Sequence, residues 1–214
     1  MAFDLEALKQ TIIDGNAKSA LALTQEALAE GVAPEKLINA GLIPAMSTVG
    51  KYFEEGEFFV PEMLIAARAM QGSLDILRPL VAQSGMKPLA TVVIGTVKGD
   101  LHDIGKNLVK IMLEGAGCKV VDLGTDVSSE KYVQAAKEEN ADVIALSALL
   151  TTTMPNMKGT VEAIEAAGLK GKVKIIIGGA PVTDSYARQI GADGYAADAS
   201  RAATLVRQLV GAAA

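Results

Sequence analysis

A regular alternation of short apolar segments and amphipathic segments runs from Leu89 toward the end of the chain. Five apolar segments have strand length, and each is followed by a segment in which apolar residues recur at helical spacing. Val, Ile and Leu dominate the earlier of the five segments. Strands with so little polar alternation are typical of a parallel sheet covered on both faces. We therefore predict a doubly wound α/β domain with a five-stranded parallel sheet. The predicted strands are Ala90–Thr96, Lys119–Leu123, Val143–Ser147, Lys174–Ile177 and Gly194–Ala197.

Residues 1–87 follow a different pattern, because their apolar residues recur every three or four positions throughout. Pro34 and Pro61 suit first helical turns, and the links between the helical segments are short. We predict an all-α four-helix bundle over residues 1–87 and a flavodoxin-like or Rossmann-like domain over residues 88–214. Gly85-Met86-Lys87-Pro88 is the predicted junction.

Composition favours some partners and compartments over others. Half of the 214 residues are hydrophobic, and the net charge is −5 with no marked basic face. Nucleic acid and membrane are therefore not expected partners. No apolar stretch approaches the roughly 20 residues of a membrane span, and residues 1–20 lack the pattern of an export signal. The single cysteine, Cys118, excludes an intrachain disulfide and is expected to pack in or near a strand. We expect a cytoplasmic protein.

The loops after the predicted strands are the expected ligand-binding region, since ligands of such sheets lie beyond the carboxyl ends of the strands. These loops provide one imidazole, several carboxylates, several hydroxyls and bare glycine backbone. Neither a G-x-G-x-x-G pattern nor a phosphate-binding loop is present, so an ordinary nucleotide site lacks its signature. The segments concerned are Lys98–His102, Ser147–Thr153, Gly178-Gly179 and Asp198–Ser200.

His102 is the only histidine in the chain. A zinc site needs about three or four protein ligands, which one histidine and one cysteine do not supply. A single imidazole can instead be the axial ligand of a metal already chelated by a macrocycle. Asp100, in the same loop, is placed to accept a hydrogen bond from the other ring nitrogen. The alternative is a surface or helix-capping histidine.

Two other loops leave alternatives open. Gly178-Gly179 predicts either a tight turn or a place where a ligand or another chain segment approaches the backbone closely. The run Thr151-Thr152-Thr153 predicts a longer strand, a cap for the helix that Pro155 opens, or hydroxyls that donate into the crevice.

Three short motifs and one longer segment carry a family resemblance. They are Asp100-x-His102-x-x-Gly105, Ser147-Ala148-Leu149, Gly178-Gly179 and Val49–Glu62. The first three match, in order and spacing, the motifs of cobalamin-binding domains, and the fourth resembles the cap of cobalamin-dependent methionine synthase. Nearly the whole chain is similar to the stand-alone corrinoid proteins of methanogens and acetogens, which serve methanol, methylamine, glycine betaine and aryl-ether methyltransferase systems.

The resemblance implies that a cobalamin or related corrinoid binds base-off, with His102 as the axial ligand of cobalt. Asp100 and Thr153 would form a relay to His102, and Thr153 stands where methionine synthase has serine. The displaced nucleotide tail would enter the sheet domain between the first and third strands. The implied cofactor-binding residues of this domain are Gly99, Asp100, Leu101, His102, Asp103, Ile104, Gly105, Ser147, Leu149, Thr151, Thr153, Gly178, Gly179 and Ala199.

In the helical half, Phe53 and Val60 match two apolar residues that cover the methyl-bearing face of the corrinoid. Methionine synthase has leucine at the position of Val60. Gly56 and Pro61 predict a break in the helix between the two residues, so helical spacing alone does not place them together. Their alternative role is ordinary bundle core.

The resemblance also implies a function. The chain would be a non-catalytic corrinoid subunit that carries a methyl group from a donor-specific methyltransferase to a second methyltransferase. The second enzyme would be a methylcorrinoid:tetrahydrofolate or thiol methyltransferase, and a reductive activator would be a further partner. The helical cap would move aside for each partner, about a hinge near Gly85–Pro88.

Three other functions compete with the methyl carrier. A cobalamin-dependent sensor or regulator usually adds a DNA-binding module, for which we expect no room before Phe3, and light-sensing relatives use a tryptophan that is absent here. A small subunit of a cobalamin-dependent mutase shares the histidine motif but commonly lacks the helical cap. A flavodoxin-like domain without a corrinoid is the third alternative.

Overall fold

The computed structural model describes residues 3–84 and 87–211. Packing divides the chain into two compact units. Of the described residues, the first unit contains those up to Lys87 together with Gly115–Gly117, and the second contains Pro88–Glu114 and those from Cys118 onward. Gly85 and Met86, at the centre of the predicted junction, lie outside the described residues.

The helical unit contains the predicted helical segments, and one of these segments also contains a π-helical turn. A single helical run extends from residue 34 to residue 54, but a π-helical turn at Ile38–Leu42 divides it. Gly56 and Pro61 correctly predict a break, because one helix ends at Glu54 and the next begins at Val60. The α-helices are α1 (Leu5–Ile13), α2 (Ala17–Ala29), α3 (Pro34–Leu37), α4 (Ile43–Glu54) and α5 (Val60–Ser84).

Local sequence explains where the first helices begin. The side chain of Asp4 accepts from the backbone N–H groups of Glu6 and Ala7, and the side chain of Asn16 accepts from that of Ser19. Such caps satisfy N–H groups that have no partner within a helix. Apolar side chains of the helices form the core of this unit; those that are fully buried include Leu8, Ile12, Leu37, Leu42, Met63 and Leu77.

The second unit confirms the predicted fold class. Its strands are all parallel and form one sheet in the order β2-β1-β3-β4-β5. Each strand end lies within one residue of its predicted position. The strands are β1 (Thr91–Thr96), β2 (Lys119–Asp122), β3 (Val143–Ser147), β4 (Lys174–Gly178) and β5 (Gly194–Ala196).

A helix follows each strand and covers the sheet. The central strands β1, β3 and β4 are buried along most of their length, as their continuous apolar sequences predict. The order of the strands reverses between β1 and β3, because the chain passes from β1 outward to β2 and then returns to the other side of β1. The helices are α6 (Ile104–Gly115), α7 (Ser129–Glu138), α8 (Pro155–Ala166), α9 (Asp184–Ile190) and α10 (Ala199–Leu209).

Cys118 is buried directly before β2, as predicted, and is a free thiol. Burial raises its pKa to about 12, so the thiol stays protonated at neutral pH. Separately, no helix among residues 3–84 and 87–211 combines the length and the apolar character that crossing a membrane requires.

Candidate functional site

The loops after β1 and β3 lie side by side at the carboxyl edge of the sheet. The two strands are hydrogen-bonded neighbours, and their last paired residues are Thr96 and Ser147. They flank the point where the strand order reverses. Because ligands of doubly wound sheets bind at this point, residues 97–103 and 148–154 form the candidate site.

The Asp100 side chain is completely buried (0 % exposed) and accepts hydrogen bonds from both loops. Its Oδ1 accepts from the backbone N–H of His102 at 3.1 Å and from ring Nδ1 of the same residue at 2.7 Å. Its Oδ2 accepts from the Thr153 hydroxyl at 2.7 Å, and from the backbone N–H groups of Leu149 at 2.8 Å and Leu150 at 3.3 Å. One carboxylate therefore connects the two loops.

The pKa of Asp100 lies below its ordinary value. Burial by itself would raise this pKa, since it removes the charged form from water. Hydrogen bonds from the Thr153 hydroxyl, the His102 ring and the backbone of Leu149 and His102 outweigh burial and lower it. Asp100 is therefore an ionised carboxylate at neutral pH, and it can only accept hydrogen bonds.

The bond to Asp100 determines which ring nitrogen of His102 carries the proton. Since the carboxylate can only accept, Nδ1 must be the donor, and a neutral ring then keeps its lone pair on Nε2. The ring is half exposed (51 %). The buried Thr96 hydroxyl donates to the His102 carbonyl at 2.8 Å and so holds the backbone of the residue as well. Nε2 is consequently the nitrogen available to a metal.

Exposed apolar side chains belong to the same part of the sheet edge as this imidazole. Among the described residues of the second unit, the large hydrophobic side chains that are exposed all belong to these two loops or to the start of α6. Leu101 and Ile104 are the most exposed, at 73 % and 77 %. Leu149 and Leu150 donate their backbone N–H groups to the carboxylate that holds His102, so they lie close by. We call Leu101, Ile104, Leu149 and Leu150 the apolar rim. Exposed apolar groups gathered at one place are typical of a binding surface.

Gly178 and Gly179 lie directly against other backbone segments. Gly179 has a φ of +133°, and a Cβ at this residue would come within 1.9 Å of the Ala148 carbonyl oxygen. A Cβ on Gly178 would lie 3.1 Å from the Ala196 carbonyl oxygen. The glycines thus permit a close approach by other chain segments in a turn. Contact with a ligand at these residues stays a prediction.

The three threonines after β3 differ in role. Thr151 and Thr152 are exposed, whereas Thr153 is buried and donates to Asp100. The strand ends before all three, and no side-chain hydrogen bond from the described residues caps α8. Thr153 therefore contributes a hydroxyl within the crevice, and strand extension and helix capping are wrong for this run.

The other predicted residues of this domain lie at the same edge of the sheet. Gly99 is exposed in the loop after β1 with a φ of +81°. The Asp103 carboxylate accepts from the Asn107 amide at 3.1 Å, and Gly105 is exposed in the first turn of α6. Ser147 is half-buried at the end of β3, and Ala199 is buried at the start of α10.

Phe53 and Val60 belong to the helical unit. Phe53 lies in the last turn of α4 and Val60 is the first residue of α5. Both side chains are half-buried, so neither belongs to the fully buried core of the bundle. Their proposed contact with a cofactor stays a prediction.

The structure adds residues that the motifs do not identify. Thr96 and Leu150 support His102 and Asp100 through the bonds given above. Asp126, in the loop after β2, contacts the loop that carries both residues. Ligands of such sheets lie beyond the carboxyl ends of the strands, and the loop after β2 lies at such an end. The position of Asp126 after a predicted strand could therefore have identified it as a candidate site residue.

This fold and this site are consistent with a cobalamin-binding protein, and comparisons with known families identify the chain as one. A family described as B12 binding domain matches residues 90–204, and a second family of the same description matches residues 4–78. The trimethylamine corrinoid protein 1 of Methanosarcina acetivorans is 44 % identical over 204 residues, which cover 94 % of each chain. This chain belongs to the corrinoid proteins, and its cofactor is a cobalamin or a related corrinoid.

Two crystal structures have a similar fold over almost the whole chain. A cobalamin-binding protein from Desulfitobacterium hafniense DCB-2 aligns with a TM-score of 0.81 and 34 % identity, covering 96 % of this chain and 98 % of that one. The methanol:cobalamin methyltransferase complex MtaBC from Methanosarcina barkeri contains a chain that aligns with a TM-score of 0.86 and 29 % identity, covering 98 % of this chain and 80 % of that one.

Proposed function

We propose that this chain is a methyl carrier that binds its corrinoid base-off, with His102 Nε2 as the axial ligand of cobalt. In this role it accepts a methyl group from a donor-specific methyltransferase. It then delivers the group to a second methyltransferase, whose acceptor is a pterin or a thiol. When bound, the corrinoid supplies the cobalt that carries the methyl group, and the protein supplies orientation and electrostatics.

The observation that carries the proposal is the hydrogen bond between Asp100 and His102. Asp100 holds the proton of the ring on Nδ1, at 2.7 Å, and this leaves the basic lone pair on Nε2. Carboxylates in this position orient a metal-bound imidazole and raise its basicity. Thr153 extends the arrangement by donating to the other oxygen of the same carboxylate. The residues present thus fit an axial ligand to a chelated metal.

The surroundings of His102 also fit a corrinoid. The apolar rim offers hydrophobic contacts to a large macrocycle beside the imidazole, and such sites are mostly apolar with a few placed polar groups. Ser147, Thr151, Gly178, Gly179 and Ala199 would hold the nucleotide tail. Gly99, Asp103 and Gly105 would complete the loop around the ligand.

The relatives support the partners proposed here. One relative is named a trimethylamine corrinoid protein, and another is a chain of a methanol:cobalamin methyltransferase complex. By analogy, a methyltransferase is the donor-side partner of this chain. A reductive activator is a further proposed partner, which the names of these relatives do not mention. Residues 1–87 would be the cap domain, with Phe53 and Val60 over the methyl-bearing face, and residues 88–214 would be the cobalamin-binding domain.

The ligand assignment is tested by visible spectroscopy of purified protein loaded with hydroxocobalamin. We expect His102→Ala to abolish the spectrum of imidazole-ligated cobalt that the wild type shows. Lys98→Ala is the matched control, because this exposed side chain lies in the same loop and its removal leaves the backbone intact. An unchanged spectrum in His102→Ala would contradict the assignment.

The carrier role needs a separate test. Reduced holo-protein is incubated with methyltransferases of methylamine and methanol systems and their donors, and methylation is followed by absorbance. Methylation by one of them supports the carrier. Failure with all of them, together with light-dependent binding of DNA, would favour the regulator instead.

A further inference from the structure

Asp126 has an unusual backbone conformation for its residue type. Its φ is +54°, in the left-handed region that residues with a side chain seldom adopt. Such a conformation costs about 1 kcal/mol or more, although Asp and Asn tolerate it better than most residues. Surrounding contacts must therefore hold Asp126 in place, and strained residues of this kind often occur at functional sites.

Two hydrogen bonds join Asp126 to the loop that carries Asp100. The Asp126 carboxylate accepts from the Gly99 backbone N–H at 2.7 Å, and the Asp126 backbone N–H donates to the Asp100 carbonyl at 3.0 Å. One residue thus holds the Gly99–Asp100 segment at both ends. Because φ sets the direction of a side chain relative to the N–H of the same residue, the left-handed φ brings both groups of Asp126 to this one segment.

Neighbouring bonds attach the Asp126 loop to β1. The Thr96 N–H donates to the Gly124 carbonyl at 2.9 Å, and the Val127 N–H donates to the Thr96 carbonyl at 3.0 Å. The Thr96 hydroxyl in turn donates to the His102 carbonyl. The loop after β2 is therefore hydrogen-bonded to the strand that leads into the site. These bonds fix the position of the backbone around Asp126.

We infer that Asp126 is a positioning residue for His102. It fixes the Gly99–Asp100 backbone, so that the buried Asp100 carboxylate meets His102 Nδ1 while it still accepts from the loop after β3. Without the Asp126 carboxylate, the Gly99 N–H loses its partner and the loop gains freedom. The inference rests on the proposed role of His102 as axial ligand.

Four variants separate the hydrogen bond from backbone strain. Asp126→Asn keeps an oxygen that can accept from Gly99 and tolerates a positive φ. Asp126→Gly removes the strain together with the acceptor, and Asp126→Ala removes the acceptor and keeps the strain. Asn140→Ala is the matched control, since Asn140 also has a positive φ, of 50°, but lies before β3 at the opposite edge of the sheet.

The first readout needs no cofactor. His102 is the only histidine, so histidine labelled with nitrogen-15 gives a single ring in the NMR spectrum of the apo-protein. We expect a downfield, slowly exchanging Nδ1 proton in the wild type, Asp126→Asn and Asn140→Ala. We expect this signal to be lost or broadened in Asp126→Gly and Asp126→Ala.

The second readout is titration of each variant with hydroxocobalamin, followed by visible spectroscopy. Disturbing groups that orient a metal ligand typically costs about 10- to 100-fold in metal affinity. We expect about tenfold weaker binding for Asp126→Ala and Asp126→Gly, toward the lower end of that range because Asp126 acts through Asp100. Asp126→Asn is expected to bind like the wild type.

If Asp126→Ala fails to fold, Asp126→Gly decides the matter, because it carries no backbone strain. A wild-type Nδ1 signal and wild-type affinity in Asp126→Gly would overturn the inference. A normal spectrum in His102→Ala, by contrast, would overturn the ligand assignment, and the NMR result would still report whether Asp126 orients the imidazole.

Discussion

Aspartate side chains accept backbone hydrogen bonds at both edges of the sheet, but they serve different purposes at the two edges. At the amino edge, the Asp142 carboxylate accepts from the Thr91 N–H at 2.8 Å and the Asp193 carboxylate from the Ile175 N–H at 2.8 Å. Each of these bonds fastens one strand to the start of its neighbour. At the carboxyl edge, Asp100 also fastens two neighbouring chain segments, but one of its oxygens additionally accepts from an imidazole.

Burial separates the two edges further. Asp142 and Asp193 are exposed residues, whereas Asp100 is completely buried. Removing a carboxylate that is exposed to water costs little free energy of unfolding, because water replaces it as the acceptor. Removing a buried carboxylate costs more, because its buried donors are left without an acceptor. Asp100 thus differs from the two amino-edge aspartates in being buried and in having an imidazole among its donors, and under the proposed role of His102 these two differences turn a structural hydrogen bond into part of a metal site.

The largest expected effect comes from Asp100→Asn, which keeps the shape of the side chain and changes one acceptor into a donor. The amide oxygen is expected to stay with the three donors of the loop after β3, so the amide nitrogen faces the His102 ring. Nδ1 must then accept, and the ring proton moves to Nε2. We expect hydroxocobalamin affinity to fall about 10- to 100-fold, with the change of tautomer visible by nitrogen-15 NMR.

Asp142→Asn is the control for this variant. It makes the same chemical change at the amino edge, where the amide oxygen can still accept from Thr91. We expect wild-type affinity and a wild-type tautomer. Equal behaviour of the two variants would remove the distinction between the edges.

A smaller effect is expected from acid. The pKa of Asp100 is lower in the folded protein than in the unfolded chain, so its contribution to stability is present above the ordinary carboxyl pKa of about 4 and is lost as the pH falls below it. Urea unfolding followed by circular dichroism should show that the free energy of unfolding of the wild type falls between about pH 5 and about pH 3, roughly one unit either side of that ordinary pKa.

Asp100→Asn sharpens this measurement. Its free energy of unfolding should lie about 2 kcal/mol below the wild type at neutral pH, because an amide satisfies fewer of the buried donors. The difference should shrink toward acid, whereas Asp142→Asn should run nearly parallel to the wild type. A constant difference between wild type and Asp100→Asn would show that Asp100 does not contribute through its charge.

The smallest effect is expected at Thr153. Thr153→Val keeps the size of the side chain and removes one donor to Asp100, which should cost about 1 kcal/mol in the free energy of unfolding. Thr153→Ser keeps the hydroxyl and should restore the bond. Urea unfolding of both variants measures which of them is more stable. A Thr153→Val protein as stable as Thr153→Ser would mean that the hydroxyl contributes nothing to holding the carboxylate.

Much of the fold could be predicted from local patterns. The strand β1, for example, is β-branched at every residue except Gly95, and its observed ends differ from the predicted ends by one residue at most. The π-helical turn at Ile38–Leu42 could not be predicted in this way, because its residues continue the helical spacing on either side. Periodicity reports which face is buried and not how tightly the backbone is wound.

The order of strands and helices along the chain, and the spacing of the single histidine from Asp100, follow from the sequence alone. They depend only on side-chain type and on contacts within a few residues. The tertiary structure alone showed that the backbone N–H groups of Leu149 and Leu150 share the Asp100 carboxylate with Thr153 and that Asp126 holds Gly99. Those bonds join loops far apart in the chain. They form because β2 and β3 lie on either side of β1, and this arrangement is a property of the whole sheet.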